Sequence, residues 1–455
     1  MIKNRAELIA QGLTEAREKA IDILNYTLNE VEASAATKRH ISLEGDLLRV
    51  QEHVFDLTKV RHIYAIGAGK ATYPLAKALE DILGDRITDG FIVVKDGQKG
   101  PLSRIRLAEA SHPVPDERSF EAAKGIFEIA DGANESDLVF CLMSGGVSAL
   151  CTSPVPGVTH QDKIDINRLL VHSGAEIREI MTVRRHLSSI KGGRLTQRIL
   201  PATIIVLTVS DSIGDEMEWN TDWTSPDSTT LDDAVNVLKK YDLWEKVSGR
   251  VQDHLSHYTF EKETPKSFEG ISIYNCMVVK TQDLWKAAER RARQLELTPL
   301  VLTSLLMGES REVGRALASI SREVLVSGNP VRPPCVLIAS GETSVKIEEN
   351  ILGKGGRNQE LAIGACLDLE KGEPIVICSL GTDGTDGPTD AAGGIIDSLT
   401  KERAAKLGID VYKTLMEHNV LNILDQLGDT IITGPTGTNV CDIALCVVMN
   451  SSSAG

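Results

Sequence analysis

The stretch LGTDGTDGPTDAAGG, residues 380–394, decides how this chain is read. It follows the apolar run PIVICSL, residues 374–380, and sets three aspartates, Asp383, Asp386 and Asp390, among five glycines. A buried strand that ends in glycines and carboxylates is how open α/β sheets build a crevice for phosphates and divalent cations. An EF-hand is excluded, because the twelfth position counted from Asp383 is Gly394 and not a glutamate. A few carboxylates completed by water suit Mg²⁺, which makes Asp383 and Asp386 candidate metal ligands.

The same junction recurs along the chain with different polar residues. IGAGKAT, residues 66–72, ends an apolar strand at Gly67 and Gly69 and opens a helix near Lys70. Glycines there let the backbone approach an anion, and a lysine in the first turn reaches phosphate oxygens. It is neither a Walker A loop nor GxGxxG, since Ala71 follows the lysine and Thr72 takes the third glycine place. A packing turn with an exposed lysine explains the same residues. MSGGVSAL, residues 143–150, offers Ser144, Gly145 and Gly146 to a phosphate or carboxylate, or simply turns the chain.

REIMTVRRHLSSIKGGRL, residues 178–195, concentrates Arg184, His186, Lys191 and further basic residues in an acidic protein. That local excess is what an anionic substrate requires, although a solvated helix face has the same appearance. Ile180, Val183, Leu187 and Ile190 predict a helix that Gly192 and Gly193 terminate. VSDSIGDE, residues 209–216, places Asp211 and Asp215 at a strand end, suited to Mg²⁺ or to taking a proton from a hydroxyl. In ASGETSV (339–345) and GKGGRNQE (353–360), Gly341, Glu342, Thr343, Gly355, Gly356 and Asn358 surround Arg357 at a predicted helix start. A guanidinium there is placed to clamp a transferring phosphoryl group. TGPTGTNVCD, residues 433–442, caps such a site or closes a hairpin.

Strands and helices alternate between these motifs, which predicts layered α/β domains with largely parallel sheets. The alternation breaks in the polar stretch 252–267, so a second domain is placed at 263–455 after a Rossmann-like first domain at 1–262. The 455 residues suffice for two cores. Aromatic content of 4% and a net charge of −15 argue against binding nucleic acid. No apolar segment is long enough for export or membrane insertion, and the eight cysteines lack CxxC spacing. The expectation is a cytoplasmic protein with reduced thiols, monomeric or homodimeric.

Taken together, GAGKAT, SGGVSALC, PGVTHQDK, REIMTVRRHLSSIKGGRL, SDSIGDE, GETSV, GKGGRNQE, GTDGTDGPTDAAGG and GPTGTNVCD span residues 67–442. In that order they resemble the class II glycerate kinases, glycerate 2-kinases with a C-terminal MOFRL domain. The resemblance implies two α/β domains with an interdomain active-site cleft, ATP and a divalent metal ion. It also implies Lys70 and Arg357 as the principal catalytic basic residues. The expected reaction is phosphorylation of the 2-hydroxyl of D-glycerate, with Asp211 as a further catalytic residue, Arg184, His186 and Lys191 on the substrate, and Asp215, Asp383 and Asp386 on the metal. Glycines 67, 69, 145, 146, 341, 355 and 356, with Ser144, Glu342, Thr343 and Asn358, are expected at the nucleotide. The chain departs from the pattern at residues 218–224, EWNTDWT, where Trp219 and Trp223 replace a Gly-Pro turn. A related hydroxy acid as acceptor, a hydroxypyruvate reductase and a non-catalytic sensor are the alternatives.

Overall fold

The computed structural model describes residues 1–215, 221–257, 259, 261–347 and 353–450. Two compact units account for the chain, and neither is one continuous segment. The first consists of Thr37–Val209 and Met217–Val278; the second of Met1–Ala36, Ser210–Glu216 and Val279–Gly455.

The first unit is built on a six-stranded sheet. Its spatial order is Ile105–Ala110, Asp89–Lys95, Ile63–Ala68, Leu138–Met143, Thr203–Val209 and Ile273–Val279. The ladders joining the first five of these are parallel. Counted in chain order this is 3-2-1-4-5-6, the order of doubly wound nucleotide-binding sheets. Leu138–Met143 is buried at every position, as a strand covered on both faces must be. Helices such as Thr72–Leu83 and Glu117–Gly132 supply the covering apolar faces. The order reverses between Ile63–Ala68 and Leu138–Met143, and ligands of such sheets bind beyond the carboxyl ends of the strands at that point. IGAGKAT and MSGG occupy those ends.

The second unit carries another six-stranded sheet, in the order Thr298–Leu306, Cys335–Gly341, Asp442–Val448, Ile375–Gly381, Gly393–Asp397 and Thr430–Ile431. Only its first ladder is parallel; the other four are antiparallel. The layered α/β class holds, but the expected parallel pairing does not extend to this sheet. The last strand inserts antiparallel between two strands that run the same way, and the two ladders beyond them are antiparallel as well. Helices Ser310–Ser327 and Arg357–Asp368 pack on the sheet around Leu317, Leu337, Ile363 and Ile377.

The expected division at 262/263 does not coincide with these units. Strand Ile273–Val279 extends the first sheet, and the first 36 residues pack with the second unit. Arg17, on helix Thr14–Glu30, explains the latter. Fully buried, it donates through Nε to Asp397 (2.5 Å) and through Nη1 to Asp429 (2.8 Å). Burial alone would lower the pKa of this guanidinium, but Asp429 and Asp397 raise it above its ordinary value. Arg17→Met leaves Asp397 without its counter-ion and Asp429 with Arg403 alone. It is expected to cost about 3–5 kcal/mol in urea denaturation, and a loss below about 1 kcal/mol would show that these ion pairs do not hold the amino terminus in place.

Candidate active site

At the switch point of the first sheet, two turns are stitched together. Lys70 N donates to Gly145 O (2.9 Å), Ser144 N to Ala68 O (3.3 Å) and Ala71 N to Ser144 Oγ (2.9 Å). A side-chain carbon on Gly67 would lie 2.0 Å from Leu142 O, and one on Gly69, whose φ is +141°, 2.1 Å from Ser144 Oγ. Glycine is therefore demanded at 67 and 69 by the neighbouring chain itself. Ser144 likewise serves the turn. Gly146, in the left-handed region at φ +88°, brings the His112 ring and the Lys70 side chain to one place: a carbon added there would meet them at 3.0 and 3.4 Å.

Ser148 and Ala149, just beyond that turn, line a cavity of 90 Å³ together with Pro113, Lys163, Asn167, Arg184 and Lys191. Lys191 is paired with Asp222 (2.7 Å), which also takes Arg185 (2.7 Å). Arg184, on helix Ile177–His186, donates to the neutral Asn167 Oδ1 (2.9 Å). The helix ends at His186, earlier than the apolar spacing predicts, because Ser188 bridges to Pro154. Gly192 and Gly193 stand instead before the next helix, Arg194–Ile199, with Gly193 as its N-cap.

His186 is not part of this cavity. It is fully buried, with Nδ1 on Thr182 O (2.8 Å) and Nε2 on Glu263 Oε1 (2.9 Å), so both ring nitrogens are engaged in the core. Lys163 replaces it in the wall, a residue not singled out by its sequence motif. The available signal is its spacing: Lys163, Ile166 and Leu170 are the i, i+3 and i+7 positions on the buried face of helix His160–His172. Trp223 is fully buried in the hydrophobic core with Ile190 and Leu195, so it is packing and not acceptor lining. Trp219 lies outside the described residues.

In the second unit, three strand ends meet. Asp442 is in register with both Gly341 and Gly381. Arg357, the first residue of helix Arg357–Asp368, donates to both oxygens of Asp442 (2.5 and 3.0 Å) and pairs with Glu342 (2.7 Å). Burial opposes the charge, yet Asp442 and then Glu342 raise the guanidinium pKa above its ordinary value. The side chain expected to clamp a phosphate thus already holds two carboxylates. Beside it lies a cavity of 320 Å³, lined by Thr343, Ser344, Val345, Gly353, Gly355, Gly356, Arg357 and Pro388 among others. Of the remaining residues expected at a nucleotide, Gly341 is pressed against Leu306 O, where an added carbon would sit at 2.3 Å. Asn358 is buried, donating to Asp386 (3.2 Å) and accepting from Ser379 Oγ (2.5 Å).

The loop aspartates are already at work within the fold. Asp386 accepts from the backbone N–H of Asn358 (3.1 Å) and Gln359 (2.9 Å) and from both their side-chain amides. It is the anchor of that helix start. Burial, and then the charge of Asp442, push its pKa up to about 6. Asp215 does the same for helix Thr281–Gln294, accepting from Thr281 N and Oγ1 (2.8 Å each). Asp383 accepts from Thr385 N (3.0 Å) and Oγ1 (3.1 Å), and Asp211 from Asn439 Nδ2 (3.2 Å). Among the described residues no group of three or more His, Cys, Asp or Glu is arranged to hold a metal ion. The aspartates expected to bind metal therefore do not form a protein cage for it.

Residues 19–256 match a family model described as a domain of unknown function, DUF4147, and residues 335–442 match the MOFRL family. A glycerate 2-kinase of Pyrococcus horikoshii is 38% identical over 436 residues, covering 95% of this chain and 98% of that protein. This chain belongs to the glycerate kinase family. The solved structure of a glycerate kinase of Thermotoga maritima, 37% identical, has a TM-score of 0.83 and covers 95% of this chain and 99% of that one. One family member from Agrobacterium vitis, 39% identical over 386 residues, bears the provisional name hydroxypyruvate reductase; the match covers 84% of this chain and 98% of that protein. Within the family fold all eight cysteines of this chain are buried and outside disulfides. No described helix is long and apolar enough to cross a membrane.

Asp386→Ala removes the acceptor for four donors at the start of helix Arg357–Asp368. A loss of about 2 kcal/mol is expected by chemical denaturation. Unchanged stability would mean that the carboxylate is not the helix anchor.

Proposed function

We propose that this chain transfers the terminal phosphoryl group of ATP to the 2-hydroxyl of D-glycerate, giving 2-phosphoglycerate. The observation that carries this reading is the 90 Å³ cavity of the first unit. It has room for one small acid and not for a nucleotide, its wall is cationic, and it adjoins the switch-point turn that bears Lys70. Kinship with glycerate kinases supports the same reaction.

Phosphoryl transfer depends on positioning and charge stabilisation more than on covalent chemistry. In this reading Lys70 neutralises charge on the transferring group, while Arg184 and Lys191 hold the acceptor. The 320 Å³ cavity, within the usual range for cofactor pockets, takes the nucleotide against Thr343, Gly355 and Gly356. Arg357 reaches a phosphate by releasing Glu342, whose side chain is 44% exposed, and keeping Asp442, at 9%. The acceptor oxygen bonds to phosphorus as the bond to ADP breaks, and its proton passes to a base. Mg²⁺ belongs to the nucleotide in this proposal, held chiefly by phosphate oxygens and water, as is usual for that ion. A cytoplasmic location and a monomeric or homodimeric state complete it.

A reductase reading is favoured by relatives' names, two of them from Agrobacterium vitis. The Ile66–Thr72 turn lacks the third glycine of a dinucleotide fingerprint. ADP release measured over a panel of small hydroxy acids, with ATP and Mg²⁺, is expected to single out D-glycerate. Oxidation of NADH by hydroxypyruvate in place of ADP release would reverse the assignment. Lys70→Ala is expected to lower turnover roughly 10²–10³-fold, and near-normal turnover would remove the lysine from the mechanism.

A further inference from the structure

Lys163 is 5% exposed, on the buried face of a helix that begins with a capping box between Thr159 and Asp162. Among the described residues its ammonium reaches two carbonyl oxygens, of Ser153 and Leu187, each at the outer limit of 3.5 Å. Among the described residues no carboxylate lies within ion-pair distance of Lys163 or of Arg184. Asp222, whose charge acts on Lys163, is shared by Lys191 and Arg185. Burial first, then the like charges of Lys191 and Arg184, hold the Lys163 pKa down at about 7, opposed by Asp222 and by the Cys151 thiol. Evolution of a purely structural core would place an apolar side chain here, since an uncompensated buried charge destabilises the fold.

We infer that Lys163, with Arg184, forms the carboxylate-recognition subsite of the 90 Å³ cavity, and that Lys163 is the residue by which the protein distinguishes a small hydroxy acid from its neutral analogues. The inference rests on the kinase reading for the identity of the acid, but its charge logic is independent of the reaction. A bound carboxylate supplies the missing counter-charge, orients the acid by its charged end, and leaves its hydroxyls toward Ser148 and the Lys70 turn. A neutral amide or alcohol of the same size leaves the two cations uncompensated and is rejected. Binding also draws a proton onto Lys163 when the pH is near or above 7.

Lys163→Met keeps most of the length of the side chain and removes the charge. In the full chain, KM for D-glycerate is expected to rise about 100-fold, with a much smaller change in kcat. The preference for D-glycerate over glyceramide should fall by a similar factor. The melting temperature without substrate should stay level or rise, because an unpaired charge has been removed. Calorimetric titration of the wild-type protein with D-glycerate at pH 8, in buffers of different ionisation heat, should show proton uptake that the variant lacks. Unchanged KM and selectivity in a folded variant would overturn the inference while leaving the kinase reading intact. A clear fall in melting temperature with no loss of selectivity would make Lys163 structural and also overturn it. A wild-type protein that binds small carboxylates through Lys163 but releases no ADP would uphold this subsite and end the kinase reading.

Discussion

A charge taken out of water has to meet its opposite, or it weighs against folding by several kcal/mol. In the second unit buried cations are matched. Arg17 has Asp397 and Asp429, and Arg357 has Asp442 and Glu342. In the first unit Arg185 and Lys191 share Asp222, and among the described residues no carboxylate pairs with Lys163 or Arg184. The matched ions are architecture: they tie the amino terminus and a helix start to a sheet. The unmatched ones face a cavity of 90 Å³, where the proposed carboxylate would supply the missing half of the pair.

The position of that cavity follows from strand order. A parallel sheet with order 3-2-1-4-5-6 sends its helices to opposite faces on either side of one gap, and the carboxyl ends beside the gap are the only ends not covered by their own connections. The two turns there are locked by Ser144 and by the backbone contacts of Lys70, leaving no room for a side chain at Gly67 or Gly69. Rigid turns of this kind hold Lys70 and Ser148 in place, and a phosphoryl-transfer site gains most from such positioning.

The second unit reaches a comparable result by a different sheet. Its final strand runs antiparallel between two others, so that Asp442 lies level with Gly341 and Gly381 and meets the guanidinium of Arg357. The helix that begins with Arg357 is aimed by Asp386, whose carboxylate accepts its first free N–H groups. The aspartate-rich loop therefore works first as a device for orienting a helix. Asp386 is occupied by that task and Asp383 accepts from Thr385 of its own turn, which is consistent with a metal ion that arrives on nucleotide phosphates.

Local chemistry was legible in the sequence. Apolar runs ending in glycine marked strands such as Ile63–Ala68 and Ile375–Gly381, and period-3.6 spacing marked helices such as Ser310–Ser327. Nine motifs in order were enough to place the chain in its family. What they lacked were long-range partners. Hydrogen-bond direction in the second sheet depends on which strand slips between which, and no local pattern encodes that. His186 and Lys163 are both polar residues among apolar ones; only packing shows that the first is satisfied by Thr182 and Glu263 while the second faces a cavity. Asp386 and Asp215 looked like ligands because a carboxylate that anchors a helix and one that binds a cation have the same side chain and the same taste for glycine-rich loops. Sequence by itself thus determined the elements and the chemical inventory, since propensity and periodicity act over a few residues. Tertiary structure alone decided which charges are neutralised and which are left open, because a counter-charge is supplied by residues far away in the chain.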